Sequence, residues 1–303
     1  METVERKTCR LCSSQDLENV VDFGNFCVST FVEKEGDNIG KAPLELILCK
    51  NCSLLQLRHT ASQELMYSRK YWYRSAINPV IVNDLAEIAD LAIQAMEPGD
   101  TIIDIGANDG TLFKFISSDY RKIGIEPASN LQDDLKQHCI PVDCFWEDYY
   151  SPHKAKVITA IGMFYDSEDP NAFIRNVTNH LLDDGIFIAQ LMTLKPMIEK
   201  NDLGNICHEH LEYYSYPALK YLFEKNGLEI FRVEENEING GSYRLFARHF
   251  KMGSIDYPEP EFDYRAFADR IKKNRDNVVS FVKGKRVYGY GASTKGNTVL
   301  QYY

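Results

Sequence analysis

The sequence lacks the features of a membrane-spanning or exported chain. None of its apolar runs approaches the ~18 residues that cross a bilayer, and residues 1–7 have no apolar signal-peptide core. It also lacks an excess of positive charge, because 34 Lys and Arg stand against 44 Asp and Glu, a net charge of −10. Clustered Lys and Arg hold nucleic acids and anionic membranes. We therefore expect a cytoplasmic protein with neither as a partner.

The 303-residue chain has 44% hydrophobic and 26% charged residues, as soluble globular proteins do. Its length suggests two domains, with part of a third. Residues 1–75 hold ten basic and ten acidic residues, residues 76–250 hold 14 and 28, and residues 251–303 hold ten and six. The net charges are therefore 0, −14 and +4. We predict one domain in each of the first two segments and an incomplete one in the third.

Four of the eight cysteines form two closely spaced pairs, Cys9 with Cys12 and Cys49 with Cys52. A two-residue gap lets both thiolates of one turn face the same ion, so the two pairs predict a zinc ribbon with structural Zn²⁺. Redox-active or incidental cysteines are the alternative, which the reducing cytosol disfavours. The other cysteines are predicted to be small buried side chains. They are Cys27, Cys139, Cys144 and Cys207.

The acidic segment alternates helical and strand patterns. A helical pattern over 79–96 precedes the apolar residues 101–106, which are typical of a buried parallel strand. A glycine turn and a helix through Phe115 follow. A second strand ends in Glu126, where an acid accepts hydrogen bonds from a ribose diol. We predict a mostly parallel α/β sheet with a ligand crevice at the carboxyl ends of its strands. Further elements are expected as strands at 157–161 and 185–191 and a helix at 170–182.

The loop that begins at Asp104 reads Asp-x-Gly-x-x-x-Gly and resembles motif I of class I S-adenosylmethionine (SAM) methyltransferases. The resemblance implies a Rossmann-like domain with the cofactor over Gly106 and Gly110, the ribose on Glu126 and the adenine beside residues 144–146. SAM carries positive charges and no phosphate, so an acidic segment suits it better than NAD. The cofactor-binding residues implied are Asp104, Gly106, Asn108, Asp109, Gly110, Glu126, Phe145 and Met163.

The triplet His208-Glu209-His210 concentrates titratable groups. A zinc protease needs histidines four residues apart, and a second metal site lacks further ligands nearby. General acid–base chemistry fits better, because imidazole titrates near neutral pH and an adjacent carboxylate can orient it. The remaining alternative is an ordinary polar helix start with satisfied histidines.

Asn239-Gly240-Gly241 lies between two apolar strands, at 229–233 and 243–247. One interpretation is a simple hairpin turn. The other is that backbone amides of the turn and Arg244 are free to hold an anion or an enolate oxygen.

Taken in order, these motifs resemble the sugar C-methyltransferases, which methylate C3 of nucleotide-linked 4-keto-6-deoxyhexoses. The shared features are the two cysteine pairs, the Tyr-x-Tyr-x-Ser stretch at 71–75, the Gly-x-Asn-Asp-Gly loop, the His-Glu-His triplet and Gly-Gly-Ser-x-Arg. The resemblance covers essentially the whole chain. It implies that His210 is the base, that Glu209 orients it or contacts the sugar, and that Tyr73, or alternatively Tyr71, is an active-site tyrosine. His208 completes the implied catalytic set.

Two positions depart from the family pattern. Cys207 stands where many members have Tyr, and Phe164-Tyr165-Asp166 stands where relatives often carry His. An O- or N-methyltransferase acting on a related sugar therefore remains an alternative, as does a catalytically silent binding module.

The chain end predicts a helix over 262–282, then a strand from Lys285 into Gly-x-Gly-Ala-x-x-Lys-Gly, with Lys295 available for a phosphate. A purely structural strand-turn-helix is the alternative. In the family this motif opens a C-terminal Rossmann-like domain that holds a nucleotide diphosphate. Since one strand and helix cannot cover a sheet, we expect a shortened chain or a partner that supplies the rest. The predicted substrate-binding residues are Tyr71, Asn239, Gly240, Gly241, Arg244 and Lys295.

Overall fold

The computed structural model describes residues 3–28, 40–62, 66, 71–290 and 294–303. The strands are β1 Thr3–Glu5, β2 Leu17–Cys27, β3 Lys41–Cys49, β4 Leu55–Leu57, β5 His59–Ala61, β6 Thr101–Ile105, β7 Arg121–Ile125, β8 Ile140–Val142, β9 Ala155–Ile161, β10 Leu181–Met192, β11 Glu212–Tyr213, β12 Leu228–Asn236 and β13 Ser242–His249. The α-helices are α1 Pro79–Ile93, α2 Gln132–Leu135, α3 Pro170–His180, α4 Leu194–Lys200, α5 Tyr216–Lys225, α6 Tyr264–Val282 and α7 Thr294–Tyr302. Short 3₁₀ turns are Ser75–Ile77, Leu112–Phe115, Ser129–Leu131, Trp146–Asp148, Phe164–Asp166, Leu203–Asn205 and Ile238–Gly240.

The chain divides into two compact units that do not follow its linear order. The first, which we call the cysteine unit, comprises Met1–Gln63, Thr193–Ser215 and Pro258–Tyr303. The second, the sheet unit, comprises Glu64–Met192 and Tyr216–Tyr257. The domain boundaries predicted from charge, at 75/76 and 250/251, stay a prediction.

The sheet unit is built on seven strands in the order β12-β13-β10-β9-β6-β7-β8. The strands from β6 to β10 are mutually parallel, and β13 runs antiparallel to β10. From β6 the chain builds outward to β7 and β8, then returns to place β9 on the other side of β6. This reversal makes the carboxyl ends of β6 and β9 the topological switch point, where open α/β sheets bind their ligands.

Helix α1 packs because its apolar residues recur on one face. Leu85, Ile88 and Ala92 are buried there against the sheet core. The helix begins where the Asn78 side chain accepts a hydrogen bond from the N–H of Val80, with Pro at the first helical position. The predicted helix over 79–96 is confirmed, and it ends slightly earlier, at Ile93.

The cysteine unit contains a four-stranded antiparallel sheet in the order β11-β4-β3-β2 and a separate β1–β5 pair. Strand β11 joins this sheet from a much later part of the chain, with Glu212 opposite Gln56 and Tyr213 opposite Leu55. Leucines of β3 and β4 form its core with apolar residues of all three chain segments. These include Leu44, Leu46, Leu55, Leu57, Leu194, Ile206, Leu211, Phe267 and Ile271.

Two local predictions are wrong, and one alternative reading is excluded. The segment expected as a helix through Phe115 is a single 3₁₀ turn. Residues 286–290 form no strand, because no described strand lies beside them to pair with their backbone, and Tyr288 and Tyr290 are exposed. Residues 207–210 form a turn and not a helix start. The rest of the predicted glycine turn, residues 291–293, lies outside the described residues.

Among the helices that the structure describes, none has the length and apolar character needed to cross a bilayer.

Glu229 ties the loop after β13 to the sheet unit. Its Oε2 accepts hydrogen bonds from the backbone N–H groups of Lys251, Met252 and Gly253 at 2.8, 2.6 and 2.8 Å, and Oε1 accepts from Arg248 at 2.8 Å. Burial alone would raise the pKa of Glu229, but these bonds outweigh it and lower the pKa to about 2.

We predict that Glu229→Gln lowers the free energy of unfolding by about 2 kcal/mol, because charge-assisted hydrogen bonds to the carboxylate are lost. Since the folded-state pKa lies below that of an unfolded Glu, wild-type stability from this group is present above pH ~4.5 and is lost as the pH falls towards 2. Urea unfolding between pH 2.5 and 7 measures both effects. The exposed Glu97→Gln is the matched control, and equal stability of the two variants at pH 7 would contradict the prediction.

Candidate functional site

The loop after β6 requires glycine at two positions. Gly106 and Gly110 have φ values of 69° and 77°, and Asn108 between them has φ 52°. A Cβ at Gly106 would lie 2.8 Å from Cγ of Met163, and one at Gly110 would lie 3.1 Å from Cδ2 of His138. The positive φ values and the contacts with Met163 and His138 therefore require both glycines, and their role in cofactor binding stays a prediction.

Asp104 is buried at the end of β6 and bonded within the sheet. The hydroxyl of Thr159 on β9 donates to its Oδ1 at 2.6 Å. Burial raises the pKa of Asp104 to about 7, with that hydrogen bond opposing the rise. In this structure the carboxyl joins β6 to β9 beneath the loop. Its predicted role as a cofactor ligand stays a prediction.

Glu126 stands directly after β7, as predicted, and is 6% exposed. Its Oε2 accepts a hydrogen bond from the backbone N–H of Asn108, and Oε1 accepts from that of Ala128, both at 2.9 Å. A carboxylate oxygen has a second lone pair. The chemistry of this group therefore fits a ribose diol held beside the glycine loop.

The side chains of Asn108 and Asp109 contact the aromatic stretch. Oδ1 of Asn108 accepts from the N–H of Ser75 at 2.9 Å, and Nδ2 donates to the carbonyl of Tyr73 at 3.2 Å. Oδ2 of Asp109 accepts from the N–H of Ala76 at 3.0 Å. Both residues were predicted as cofactor ligands, and the structure shows that each already holds the neighbouring segment.

The aromatic segment is tied at its other end by Asn130, which donates to the carbonyl of Tyr71 at 2.9 Å and accepts from its N–H at 3.0 Å. The rings of Tyr71, Trp72 and Tyr73 lie with centroids 6.1–6.5 Å apart. Burial, and to a smaller extent the charge of Asp109, raise the pKa of Tyr73. Its phenol is therefore a proton donor at neutral pH, and the catalytic role of Tyr73 stays a prediction.

Phe145 and Trp146 follow β8 with different environments. Trp146 is 2% exposed, and its Nε1 donates to the carbonyl of Phe173 at 3.1 Å, so it belongs to the core. Phe145 is half-buried at the start of the 3₁₀ turn. Of the two, Phe145 is the better placed to contact a cofactor.

The predicted hairpin is confirmed, with β12 and β13 antiparallel around it. Asn239 has φ 56° and Gly241 has φ 132°. The N–H of Gly240 donates to the carbonyl of Glu237 at 3.2 Å, and that of Gly241 to Ile238 at 3.0 Å. The prediction that the turn's amides are free for an anion is wrong for these two, because they close the turn.

Arg244 is likewise not free. It is buried, and its guanidinium lies 2.8 Å from Asp84, 3.4 Å from Glu87 and 3.5 Å from Glu234, while Nε donates to Oε1 of Gln190 at 2.9 Å. A buried cation surrounded by carboxylates gains little from a further anion. The structure therefore corrects the expectation that Arg244 is free, and shows it tying β13 to α1 and β10.

The four knuckle cysteines converge in the cysteine unit. Their Sγ atoms all lie within 4.8 Å of one another, with Cys9–Cys52 and Cys12–Cys49 at 3.5 Å. Tetrahedral Zn–S bonds of ~2.3 Å imply S–S separations of about 3.8 Å. The donor set and its spacing fit Zn²⁺. With four sulfur ligands the site is closed and therefore structural.

His208 is anchored to the same unit. It is 2% exposed, and its Nε2 donates to the carbonyl of Ala42 on β3 at 3.0 Å. Burial lowers its pKa, so it stays neutral. A buried ring bonded to a carbonyl of β3 fits a structural role, and the catalytic role of His208 stays a prediction.

His210 is held in one tautomer. Its Nδ1 lies 2.7 Å from the carbonyl oxygen of Asn205, so Nδ1 carries the proton and donates it, which leaves Nε2 unprotonated. Burial, with a smaller effect from the charge of Lys295, lowers the pKa of His210 to about 4. A Cβ added at Gly204 would lie 2.9 Å from Cβ of Lys295, so α7 packs beside this loop.

Glu209, between the two histidines, is half-buried, and burial raises its pKa to about 7. A hydrogen bond with the Cys207 side chain opposes that rise. The cysteine that replaces the family's usual Tyr therefore contacts Glu209.

Sequence reasoning missed a buried ion pair beside the cysteine cluster. Arg10, inside the first knuckle, lies 3.5 Å from Glu212 of β11, and both side chains are fully buried. Arg10 also donates to Gln56 at 3.2 Å and to Thr60 at 2.8 Å. The available signals were a charged residue between the two cysteines of one pair and an acid two residues after the His-Glu-His triplet.

Three family models match the chain in succession: a zinc binding domain over residues 9–67, a methyltransferase domain over 79–233 and a C-methyltransferase C-terminal domain over 237–303. The second covers slightly more than half of the chain. The chain therefore belongs to the SAM-dependent methyltransferases. The C-methyltransferase NovU of Streptomyces niveus is 28% identical over 324 residues, 96% of this chain and 77% of that protein. Together these matches confirm the resemblance to the sugar C-methyltransferase family, and they confirm SAM and zinc as its cofactors.

Several solved structures are similar to part of this chain. The mitomycin 7-O-methyltransferase MmcR matches with a TM-score of 0.47 and 16% identity, covering 58% of this chain and 56% of that chain. A SAM-dependent methyltransferase from Clostridium acetobutylicum ATCC 824 matches with a TM-score of 0.47 and 10% identity, covering 56% and 92%. The fold assignment rests on the chain's own strand order and on the family model.

We predict that Cys52→Ser lowers bound zinc from about one atom per chain, because three thiolates and a hydroxyl hold Zn²⁺ less tightly. The melting temperature should fall with it, since metal binding stabilises the fold. Metal analysis and thermal unfolding measure the two effects. Cys144→Ser, half-buried in the sheet unit, is the control. Unchanged zinc in Cys52→Ser would contradict a four-cysteine site.

Proposed function

We propose that this enzyme transfers a methyl group from SAM to C3 of a nucleotide-linked 4-keto-6-deoxy sugar through an enolate, in the cytoplasm. The C-methyltransferase models and the NovU match support methylation of carbon. The observation that carries the chemistry is the 2.7 Å contact between Nδ1 of His210 and the carbonyl oxygen of Asn205. A neutral imidazole with its proton fixed on Nδ1 presents Nε2 as a proton acceptor.

Each proposed step of the reaction is assigned to a residue of this chain. His210 Nε2 takes the proton from the carbon next to the ketone, and the C–H electron pair delocalises onto the ketone oxygen as an enolate. The phenol of Tyr73, kept protonated by its raised pKa, donates a hydrogen bond to the developing negative charge. SAM, when bound, would supply the electrophilic methyl group, and the enolate carbon would form its bond to that methyl as the methyl–sulfur bond breaks and S-adenosylhomocysteine leaves. Glu209 orients His210 or contacts the sugar, and Lys295 pairs with the diphosphate.

Residues of the sheet unit would hold the cofactor. Glu126 suits the ribose hydroxyls, and the loop from Gly106 to Gly110, whose Asn108 donates its backbone N–H to Glu126, would lie beside the cofactor. Phe145 and Met163 offer apolar surface for the adenine. Asn239 and the two glycines after it stay proposed as substrate contacts through atoms other than the amides that close the hairpin.

We predict that His210→Ala lowers kcat by roughly 10²- to 10⁴-fold, the usual contribution of a general base. Labelled SAM with a panel of nucleotide-linked 4-keto sugars, followed by mass spectrometry, measures the turnover. SAM affinity by calorimetry should stay within about twofold, because His210 and the cofactor loop lie in different units. The exposed His153→Ala is the control. Wild-type turnover in His210→Ala would exclude His210 as the base.

The wild-type enzyme should also exchange the C3 proton of the sugar for deuterium in heavy water, because an enolate is reprotonated by solvent. A methyltransferase acting on oxygen or nitrogen needs no such exchange. Absence of exchange alongside methyl transfer would therefore favour the O- or N-methylation alternative.

We predict that kcat/KM falls on the acid side with an apparent pKa well below 6, because the base must be unprotonated and burial lowers the pKa of His210 to about 4. Its ordinary value is about 6.5. An acid limb near pH 7 that disappears in Glu209→Gln would instead assign the proton transfer to Glu209, whose pKa is about 7.

A further inference from the structure

Two adjacent side chains of the cofactor loop hold the aromatic segment by its backbone. Asn108 accepts from the N–H of Ser75 and donates to the carbonyl of Tyr73, and Asp109 accepts from the N–H of Ala76. These three bonds, of 2.9, 3.2 and 3.0 Å, fix the main chain on the carboxyl side of Tyr73. We call Asn108 and Asp109 the loop clasp.

The clasp is rigid on the loop side. Asn108 and Asp109 are 7% and 4% exposed, and the left-handed φ of Asn108 fixes the direction of its side chain. Oδ1 of Asp109 accepts from the hydroxyl of Thr111 at 2.6 Å and from its N–H at 3.2 Å. One carboxylate oxygen of Asp109 therefore bonds within the loop, and the other bonds to the aromatic segment.

The same loop meets the group proposed to bind ribose. The backbone N–H of Asn108 donates to Oε2 of Glu126 at 2.9 Å. Asn108 therefore bonds to both residues: its backbone N–H donates to Glu126, and its side-chain amide donates to the carbonyl of Tyr73. Any shift of the loop on cofactor binding is passed to the segment by these hydrogen bonds.

We propose that Asn108 and Asp109 are positioning residues that couple the cofactor site to the aromatic segment, so that cofactor binding sets the position of Tyr73. The coupling itself rests on the SAM site of the sheet unit, while its consequence for the sugar rests on the proposed function. Because coupling is reciprocal, releasing the aromatic segment from the clasp should change the affinity of the protein for the cofactor. It should also leave Tyr73 less well positioned.

Trp72 makes the coupling measurable without turnover. The chain has two tryptophans, and Trp72 is 37% exposed whereas Trp146 is 2% exposed, so acrylamide quenches Trp72 selectively. S-adenosylhomocysteine should reduce this quenching in the wild type with the same Kd that calorimetry gives. Trp72→Phe should remove the response, which assigns it to the segment.

The decisive variant is Ser75→Pro, which removes the backbone N–H that donates a hydrogen bond to Oδ1 of Asn108. It leaves the sequence of the cofactor loop unchanged. Ser75 opens a 3₁₀ turn, and Arg74 before it is extended (φ −134°, ψ 124°), as a residue preceding Pro requires. Ser75→Ala keeps the N–H and is the matched control. We expect Ser75→Pro to lose the quenching response, or to lose at least about fivefold in affinity for S-adenosylhomocysteine, while Ser75→Ala keeps both.

Asp109→Asn is a second variant, nearly isosteric, that places an amide donor or a repositioned oxygen opposite the N–H of Ala76. Asp109→Asn should likewise weaken the quenching response, and it takes the place of Ser75→Pro as the test if that variant does not fold. Wild-type quenching and affinity in a folded Ser75→Pro, or in Asp109→Asn in its place, would overturn the proposal, as would a Trp72 that does not respond to the ligand in the wild type.

Turnover separates this inference from the proposed function. In a folded Ser75→Pro, kcat with the keto sugar should fall by about tenfold or more, with the KM for SAM changing less. Loss of the quenching response in an enzyme that methylates no keto sugar would retain the coupling and reject the proposed substrate.

Discussion

The sheet unit depends on a sharp change of direction after Ile105. Because β7 is added on one side of β6 and β9 on the other, the backbone must leave β6 steeply, and positive φ values at Gly106, Asn108 and Gly110 provide that turn. Met163 closes against the first glycine and excludes a side chain there. The same turn brings Asn108 within reach of both Glu126 and the aromatic segment.

The cysteine unit depends on a different constraint, because its core is assembled from three distant parts of the chain. Sulfur ligands fix the two knuckles, β11 extends the sheet edge, and α6 and α7 supply further apolar side chains. His208 is bonded to β3 and His210 to the loop just before it. Two histidines only two residues apart therefore have different surroundings, one fixed in the sheet and one held by its Nδ1–H.

Local patterns and motifs predicted much of this. The helix at 79–96, the strands around Asp104 and Glu126 and the hairpin near Gly240 follow from periodicity of two or 3.6 residues and from turn chemistry. The four cysteines follow from their spacing. Such signals are local, and they are carried by residue types with few alternative uses.

Pairing between distant polar groups could not be predicted. Arg244 meets Asp84, which lies 160 residues earlier, and the sequence offers many other acids as partners. The Asn108–Ser75 contact and the Arg10–Glu212 pair are of the same kind. The expected strand after Lys285 failed for a related reason, because strand formation needs a partner that an apolar pattern cannot specify.

Strand β11 is synthesised long after β4, the strand with which it pairs, and this order affects folding on the ribosome. Strand β4 and the knuckle residue Arg10 are made early, yet their partners Tyr213 and Glu212 emerge only after the parallel strands of the sheet unit. Domains made first usually fold first during synthesis. Strand β4 and Arg10 therefore lack these two partners until residues 212–213 have been translated, so the cysteine unit completes its fold after the strands that interrupt it have been made.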